Sequence, residues 1–390
     1  MKGQPRKGGC MAVKALRVRA LPSLQQCDKI DTTINCCRFV KNHMIERNSK
    51  IYGRRKEHLS YNAMQNLLPV MKGYLPWLKE ADSQALKYAC RQVDNAYQRF
   101  FKKLGGYPRF KSRRAAVQSY TTTNAASIHY EPGRVSLPCL GWITVLDNRA
   151  LPDNAKICRA AVIRDHGQYY ISIIYKTDDT VTAHPVDEDS VLGLDYKSDG
   201  LYADSKGNIC DMPRWYRLSE KAIAKEQRRL SRKVGARKGE RPSGNFRRQQ
   251  KRLFKKTRHV ANQRKDFLHK QSTEIANRYD AVCVEDLNMK AMSNKGFGNG
   301  KATLDNGYGM FLSMLDYKLH DRGKELIRID RWYPSSQTCG CCGYKNPEVK
   351  DLSVRKWTCP ECGAVHDRDA NAAVNIKNEG INIIKRMHTA

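Results

Sequence analysis

The sequence predicts a multidomain protein that combines α/β and all-β domains. Three observations predict this class: a length of 390 residues, a change from helical to alternating apolar periodicity in the N-terminal half, and two CxxC pairs near the C-terminus. Hydrophobic cores stop growing at a few hundred residues, so a chain of this length is expected to divide into two or three domains.

The N-terminal module is expected to be a small β-barrel or sandwich interrupted by helices. Apolar and basic residues alternate from Ala12 to Ala20, as in a half-buried strand. Residues 27–104 are predicted to be helical, because their apolar side chains follow helical stripes. Short strand-like runs separated by Pro, Gly and Asp come next. We therefore assign residues 1–26 and 105–183 to the β module and 27–104 to a helical insertion.

A polar, acidic segment at 184–190 is predicted to link this module to a C-terminal one. Residues 191–334 and 366–390 are assigned to the main C-terminal domain, and residues 335–365 to a small ribbon within it. A long helical stretch rich in Lys and Arg begins near Trp215. Two basic helices of this kind suit contact with phosphates, although a solvated basic face is the simpler alternative.

The charge balance indicates a nucleic-acid partner. Lys and Arg number 71 against 39 Asp and Glu, a net charge of +32 that repels itself unless a polyanion neutralises it. Most of the 14 cysteines lie apart and no apolar leader precedes them, so we expect a reducing cytoplasm with free or metal-bound thiols. No apolar run has the length of a membrane span, so no membrane partner is expected.

Carboxylates recur where buried strands end or a helix begins. Asp195 ends one apolar run, AVCVED supplies Glu285 and Asp286, and HDRDANAAVNI supplies Asp367 and Asp369 before small residues. Strand alternation allows only one acid of the second pair to face a shared site. A buried carboxylate is costly unless it meets a cation, and oxygen ligands of this kind hold Mg²⁺ in two-metal nucleases. The alternative is that these aspartates only cap turns and helices.

The two CxxC pairs have the spacing of a zinc ribbon, and each is followed by glycine. The predicted zinc ligands are Cys339, Cys342, Cys359 and Cys362. Four thiolates would close the coordination sphere, so the ion is expected to be structural. Cys341 is expected to be a bystander that can compete for metal, and a redox dithiol pair is the alternative interpretation.

Ordered motifs run through most of the chain. The N-terminal half contains PVMKGYLPWLKEADSQAL, AYQRFFKKLGGYPRFKS and SYTTTNAAS, and the C-terminal half contains GLDYKSDGLYADSKG, VEDLNM, YPSSQTCGCCGY, WTCPECG and HDRDANAAVNI. Together they resemble the TnpB (OrfB) family of transposon-encoded RNA-guided nucleases, which are related to compact type V CRISPR effectors. One departure is YKSDG after the first aspartate, which puts Lys197 close to the expected metal site.

The resemblance implies an N-terminal wedge-like β-barrel with a helical recognition insertion, and a C-terminal RNase-H-like RuvC domain that carries the zinc ribbon. It places the catalytic Mg²⁺ ligands at Asp195, Glu285 and Asp369, with Asp367 as a neighbour. The implied partners are a guide RNA from the transposon end and double-stranded target DNA beside a short transposon-adjacent motif, so base pairing reads the sequence.

Seven residues are candidates for nucleic-acid contact on the strength of the resemblance. Amide and hydroxyl groups can read base edges, whereas Lys and Arg hold phosphates. The base-reading candidates are Gln84, Thr123 and Asn124, and the phosphate-binding candidates are Lys72, Arg109, Lys111 and Arg113. For Gln84 and Asn124 a solvated or capping role is an equal alternative.

The sequence leaves three functional hypotheses. The first is an RNA-guided DNA endonuclease, which needs all three carboxylates. The second is an RNA-guided DNA-binding protein or repressor that does not cleave. The third is a cut-and-paste transposase that joins strands without a guide.

Overall fold

The computed structural model describes residues 12–388 except 114, 116, 178–181, 234–241, 295, 297–299 and 352. The chain divides into two compact units, residues 1–180 and 181–390. Each unit has its own buried apolar clusters. Among the described residues, no helix combines the length and apolar character needed to cross a bilayer.

The first unit is an antiparallel sheet with three long helices. The helices are α1 (Leu24–Arg55), α2 (Tyr61–Tyr74) and α3 (Ser83–Phe101). The strands are β1 (Ala12–Leu21), β2 (Val117–Thr122), β3 (His129–Glu131), β4 (Arg134–Leu137), β5 (Gly141–Val145), β6 (Lys156–Asp165) and β7 (Gln168–Thr177). The helices occupy the sequence between β1 and β2, where helices were predicted.

Helix α1 begins at a capping box, in which the Ser23 hydroxyl and the Gln26 side chain each accept from the other residue's backbone N–H. Asp82 caps α3 by accepting from the backbone N–H of Gln84. The apolar stripe of α3 is buried, with Leu86 and Tyr97 fully enclosed. The predicted stripe is therefore core, and it holds the helices against the sheet.

The seven strands follow the order β2-β6-β7-β1-β5-β4-β3. The two end strands, β2 and β3, do not pair with each other among the described residues. The sheet is therefore open as described, and the predicted barrel is not confirmed. The predicted domain boundaries within this unit remain predictions.

The second unit is a five-stranded mixed sheet with helices on both faces and a small hairpin. Its strands are β8 (Val191–Tyr196), β9 (Tyr202–Asp204), β10 (Ile209–Cys210), β11 (Ala281–Glu285), β12 (Glu325–Ile329), β13 (Lys356–Thr358) and β14 (Val365–Asp367). Its helices are α4 (Trp215–Ser231), α5 (Gly244–Arg278), α6 (Met289–Met292), α7 (Gly300–Asn306), α8 (Tyr308–His320) and α9 (Arg368–His388).

The sheet order is β10-β9-β8-β11-β12, and the three strands β8, β11 and β12 are parallel. On one face Val282 and Val284 pack with α5 and α8, and on the other Ala281 and Cys283 pack with Ile376 of α9. Burial on both faces explains why β8 and β11 are nearly continuous apolar runs, whereas the edge strand β12 alternates between buried and exposed residues.

Helix α9 lies unusually close to the sheet because two glycines permit it. A Cβ at Gly193 would lie 2.1 Å from the Ala373 carbonyl oxygen, and a Cβ at Gly380 would lie 2.0 Å from Cys283 Sγ. Both distances are far below a normal contact, so side chains at these two positions would push the helix away. This packing fixes where the first turn of α9 lies.

The basic stretch predicted after Trp215 is helical in α4 and α5, which pack together. Glu226 is buried between them and accepts a hydrogen bond from Gln249 Nε2 at 2.6 Å. The loop between these helices falls largely outside the described residues.

Candidate metal centres and nucleic-acid surface

The first two carboxylates lie at the same end of neighbouring parallel strands. Leu194 of β8 is opposite Val284 of β11, so the next residues, Asp195 and Glu285, occupy adjacent positions in the same register. Side chains two residues apart on a strand share a face. Glu285 therefore shares the face of Cys283, which is the face covered by α9.

The third carboxylate comes from the first turn of α9. Asp369 lies four residues, about 6 Å, before Ala373, which packs on Gly193. Asp195 lies two residues, about 7 Å, beyond Gly193. Asp369 and Asp195 are therefore at similar distances from the contact between Ala373 and Gly193. The Asp369 carboxylate is close enough to Asp195 to raise its pKa.

Asp367 caps the N-terminus of α9. Its Oδ1 accepts hydrogen bonds from the backbone N–H groups of Asp369 and Ala370, each at 3.1 Å. Asp367 is thus the cap that starts α9, which leaves the Asp369 carboxylate available for other contacts. Of the two aspartates, Asp367 is the one that caps the helix. The sequence pattern alone could not tell which of Asp367 and Asp369 had this role.

The environment of Asp195 opposes a negative charge. Burial raises the pKa of this carboxyl well above its usual value, and the nearby carboxylates of Glu285 and Asp369 raise it further. Arg368 offsets part of the shift. Burial also raises the pKa of Glu285, although the Ser335 hydroxyl donates to its Oε1 at 2.7 Å and opposes the rise. Such a group of acids is stabilised by a bound cation.

Cations already approach the rim of this carboxylate group. Lys197 Nζ lies 3.7 Å from Asp369 Oδ2, and Arg355 Nη1 lies 3.8 Å from Asp369 Oδ1. Asp286 instead pairs with Arg331 at 2.7 Å. The acid that follows β11 is therefore engaged in a separate ion pair, and the assignment of Glu285 to the site remains a prediction.

The donor set fits magnesium, since it consists of hard carboxylate oxygens. Among the described residues, only cysteine and histidine atoms form a metal-ligand set within 4.8 Å of one another, so the three carboxylates are more widely spread. Two ions about 4 Å apart need ligands spread over two coordination spheres. A central Asp195 flanked by Glu285 and Asp369 fits that requirement.

Two asparagines that the sequence reading did not single out attach α9 to the cysteine ribbon. Asn371 donates to the Thr338 carbonyl at 2.7 Å and accepts from the Gly340 N–H at 2.8 Å. Asn375 donates to the carbonyls of Ser335 and Thr338. Their spacing of one helical turn in NAAVN was the available signal, because it puts both amides on one face of the helix.

The four predicted cysteines converge. The Sγ atoms of Cys339, Cys342, Cys359 and Cys362 all lie within 4.8 Å of one another. The sulfur atoms of the pairs 339–362 and 342–359 are each 3.6 Å apart. A tetrahedral zinc site with bonds of about 2.3 Å needs sulfur separations of about 3.8 Å. The arrangement therefore fits structural zinc.

Both cysteine knuckles have the same backbone. Gly343 and Gly363 adopt φ of 78° and 71°, and each N–H donates to the carbonyl of the first cysteine in its pair. Only glycine adopts this left-handed conformation without strain. Burial opposes ionisation of Cys339, but hydrogen bonds from the Cys342 and Cys341 amides, with smaller contributions from side chains, outweigh it and lower its pKa to about 5.

The first unit contains a basic cleft with a volume of about 540 Å³. Its cationic lining residues are Arg38, Lys41, Arg99, Arg109 and Lys111. Burial lowers the pKa of Lys41, and Lys111 adds to the repulsion. Among the described lining residues there is no acid, so the cleft favours anions.

The other nucleic-acid candidates are distributed over the first unit. Arg113 and Thr123 are exposed and Gln84 is half-buried. Lys72 Nζ donates to the Ser83 hydroxyl at 2.7 Å, and Asn124 Nδ2 donates to the Ser127 hydroxyl at 2.7 Å. Asn124 thus has a local partner in a turn, and its role in base reading remains a prediction together with the others.

Family models match three parts of the chain. A model described as "Helix-turn-helix domain" of OrfB covers residues 11–57, and OrfB_IS605, described as "Probable transposase", covers residues 172–296. A "Cas12f1-like, TNB domain" covers residues 308–376, which include the four cysteines and Asp369.

Curated relatives extend this match to nearly the full chain. A Streptomyces pristinaespiralis protein named "Putative RNA-guided DNA endonuclease" is 33% identical over 372 residues, covering 94% of this chain and 89% of the relative. The chain belongs to the TnpB (OrfB) family. A second relative of this TnpB-family chain, named "Putative RNA-guided DNA endonuclease InsQ", comes from Escherichia coli strain K12. It is 28% identical, and the match covers 94% of this chain and 92% of the relative.

The fold of this TnpB-family chain also resembles a solved structure. It is described as the cryo-EM structure of a Cas12f1–sgRNA–target DNA complex. The match has a TM-score of 0.50 and 12% sequence identity, and it covers 94% of this chain and 99% of the other. The likeness concerns the fold alone.

Proposed function

We propose that this protein is the RNA-guided DNA endonuclease of an insertion sequence. It binds a guide RNA derived from the transposon end and cleaves complementary double-stranded DNA beside a short transposon-adjacent motif. The observation that carries the proposal is the approach of Asp195, Glu285 and Asp369 at one edge of the second sheet. These partners put the site of action in the cytoplasm or nucleoid.

The second unit is inferred to be an RNase-H-like RuvC domain. Magnesium, when bound, would activate a water molecule and stabilise the leaving 3′ oxygen. Asp195 would be the shared ligand, because Glu285 and Asp369 are both close enough to raise its pKa. The Ser335 hydroxyl orients Glu285, and Asp367 holds the helix turn that presents Asp369.

The four cysteines would hold a structural zinc ion. Their site is closed, so the ion stabilises the ribbon and takes no part in cleavage. Through Asn371 and Asn375 the ribbon contacts the helix that bears Asp369. We infer that zinc thereby helps to position the third carboxylate.

The large positive charge supports the nucleic-acid partners. The basic cleft of the first unit and helices α4 and α5 offer cations to phosphates. Such contacts are independent of sequence, so specificity is delegated to the guide. Arg109 and Lys111, which line the cleft, are the phosphate-binding candidates that the geometry supports best.

Cleavage assays with carboxylate variants test the proposal. Complexes purified with their RNA should cut guide-matched DNA in Mg²⁺, whereas Asp195→Ala and Glu285→Gln complexes should bind the DNA without detectable cutting. Asp286→Asn is the matched control, since this neighbouring acid pairs with Arg331, and it should cut normally.

The same assay separates the competing hypotheses. Unchanged cutting by Asp195→Ala would remove the assigned site. A wild-type complex that occupies its target yet leaves it intact in both Mg²⁺ and Mn²⁺ would favour the non-cleaving binder, and strand joining without RNA would favour a transposase.

A further inference from the structure

The first cysteine knuckle contains one thiol more than the four-cysteine site uses. Cys341 is exposed, and its Sγ lies within 4.8 Å of both Cys339 Sγ and a ring nitrogen of His366. His366 Nε2 itself is 3.0 Å from Cys339 Sγ. These three side chains form a second set of potential metal ligands that shares Cys339 with the first.

We propose that Cys339, Cys341 and His366 bind a second thiophilic divalent cation, with the Cys339 thiolate bridging the two ions. The proposal rests on the zinc site proposed for the four cysteines, because the bridging sulfur belongs to both. Two thiolates and one imidazole are ligands that zinc accepts in proteins.

The hairpin that carries His366 holds its ring towards the knuckle. His366 of β14 is opposite Trp357 of β13, and their rings lie 4.8 Å apart between centroids. Trp357 is buried, and the contact with its indole restricts the orientation of the imidazole. The histidine ligand is therefore positioned before any ion binds, which reduces the ordering cost of binding.

Only a small adjustment is needed to admit an ion. Bonds of about 2.3 Å to sulfur and 2.0 Å to nitrogen at a tetrahedral angle separate the two ligand atoms by about 3.5 Å. The Cys339–His366 distance of 3.0 Å must therefore lengthen by about half an ångström. Cys341 is exposed at the surface of the knuckle and can rotate towards the ion.

The second ion differs from the first in its coordination. Three protein ligands leave one position for water or for an external ligand, as in catalytic zinc sites, whereas four cysteines leave none. The second ion is therefore bound more weakly and exchanges more readily. Without it, His366 remains a hydrogen-bond partner of Cys339 and Cys341 a bystander.

Zinc counting by native mass spectrometry tests this site. The full-length protein is dialysed against free Zn²⁺ in a large excess of Mg²⁺, which competes with zinc for the carboxylates. Wild type should hold two zinc ions per chain, and Cys341→Ser and His366→Gln should each hold one. Cys139→Ser and His129→Gln, which alter an exposed thiol and an exposed imidazole in the first unit, should hold two.

A wild-type protein that saturates at one ion, or either ribbon variant retaining two, would overturn the second site and leave the four-cysteine site intact. A Cys341→Ser protein without any zinc would contradict the four-cysteine site as well, and the second site with it.

Discussion

Asp195 is the residue whose surroundings say most about the chemistry. Burial and two neighbouring carboxylates raise its pKa, and the unfolded chain imposes no such penalty. The folded protein therefore accepts a proton or a metal ion at this position more readily than the unfolded chain does. A bound divalent cation would offset the electrostatic cost of the ionised carboxylates and so stabilise the folded protein.

This environment makes stability depend on pH in a defined direction. Because the pKa of Asp195 is raised in the folded state, the free energy of unfolding falls as the pH rises from the usual aspartate range through the raised value. In chelator, Asp195→Asn should therefore melt a few degrees above wild type at neutral pH, with the gap shrinking near pH 4. Thermal melts across pH measure this, with Asp286→Asn as control. A less stable Asp195→Asn protein at neutral pH would contradict the assigned surroundings.

Lys197 offers a second residue-level test. Its ammonium group lies 3.7 Å from Asp369 Oδ2, and the Lys197 side chain is only 20% exposed, so it competes with a metal ion for that carboxylate. Lys197→Gln should tighten Mg²⁺ binding a few-fold in calorimetry. Arg355→Gln should have a smaller effect, because Arg355 is 66% exposed and solvent screens its charge. Unchanged or weaker Mg²⁺ binding by Lys197→Gln would show that its ammonium group does not compete with the ion.

The sequence predicts the position of some of these carboxylates better than that of others. Alternation along AVCVED was sufficient to assign Cys283 and Glu285 to one face, because the strand period is two. Periodicity could not separate Asp367 from Asp369, since that choice depends on where α9 begins. The family motif indicates Asp369, and in the structure Asp367 caps the helix, but the assignment of Asp369 as a metal ligand remains a prediction.

At the scale of elements, α9 joins the sheet, the ribbon and the third carboxylate. Its close contact with β8 depends on Gly193, whose role can be recognised only when the strand register and the position of the helix are both known.

In the seven-stranded sheet, the strands were easier to predict than their arrangement. Its strands were predictable from turn residues, but closure depends on pairing between edges that are distant in sequence, which no local pattern specifies.

Gly193→Ala tests the importance of this contact. The new methyl group would meet the Ala373 carbonyl at 2.1 Å, and backbone cannot rotate aside, so α9 must shift. We expect a loss of about 1–3 kcal/mol or more in unfolding free energy together with strongly reduced cleavage. Gly309→Ala, where the nearest atoms are 3.8 Å away, is the control in urea melts and should be tolerated. Normal cleavage by Gly193→Ala would show that the helix position is not critical.

At the scale of the whole molecule, the net charge of +32 makes the free protein repel itself. Binding of RNA releases counterions and relieves this repulsion, so the transposon-end RNA should raise the melting temperature by several degrees at low salt. The gain should fall steadily as salt is added. Melting curves with and without RNA over a salt series check this, and a salt-independent shift would argue against phosphate contacts as the main interaction.

The order of the elements along the chain also has a consequence for synthesis. Asp195 and Glu285 leave the ribosome well before α9, so a nascent polypeptide can fold its first unit and engage RNA while its third carboxylate is still unmade. Under the proposed three-carboxylate site, the ability to cut is acquired last, and a product terminated before residue 369 is expected to bind nucleic acid without cleaving it.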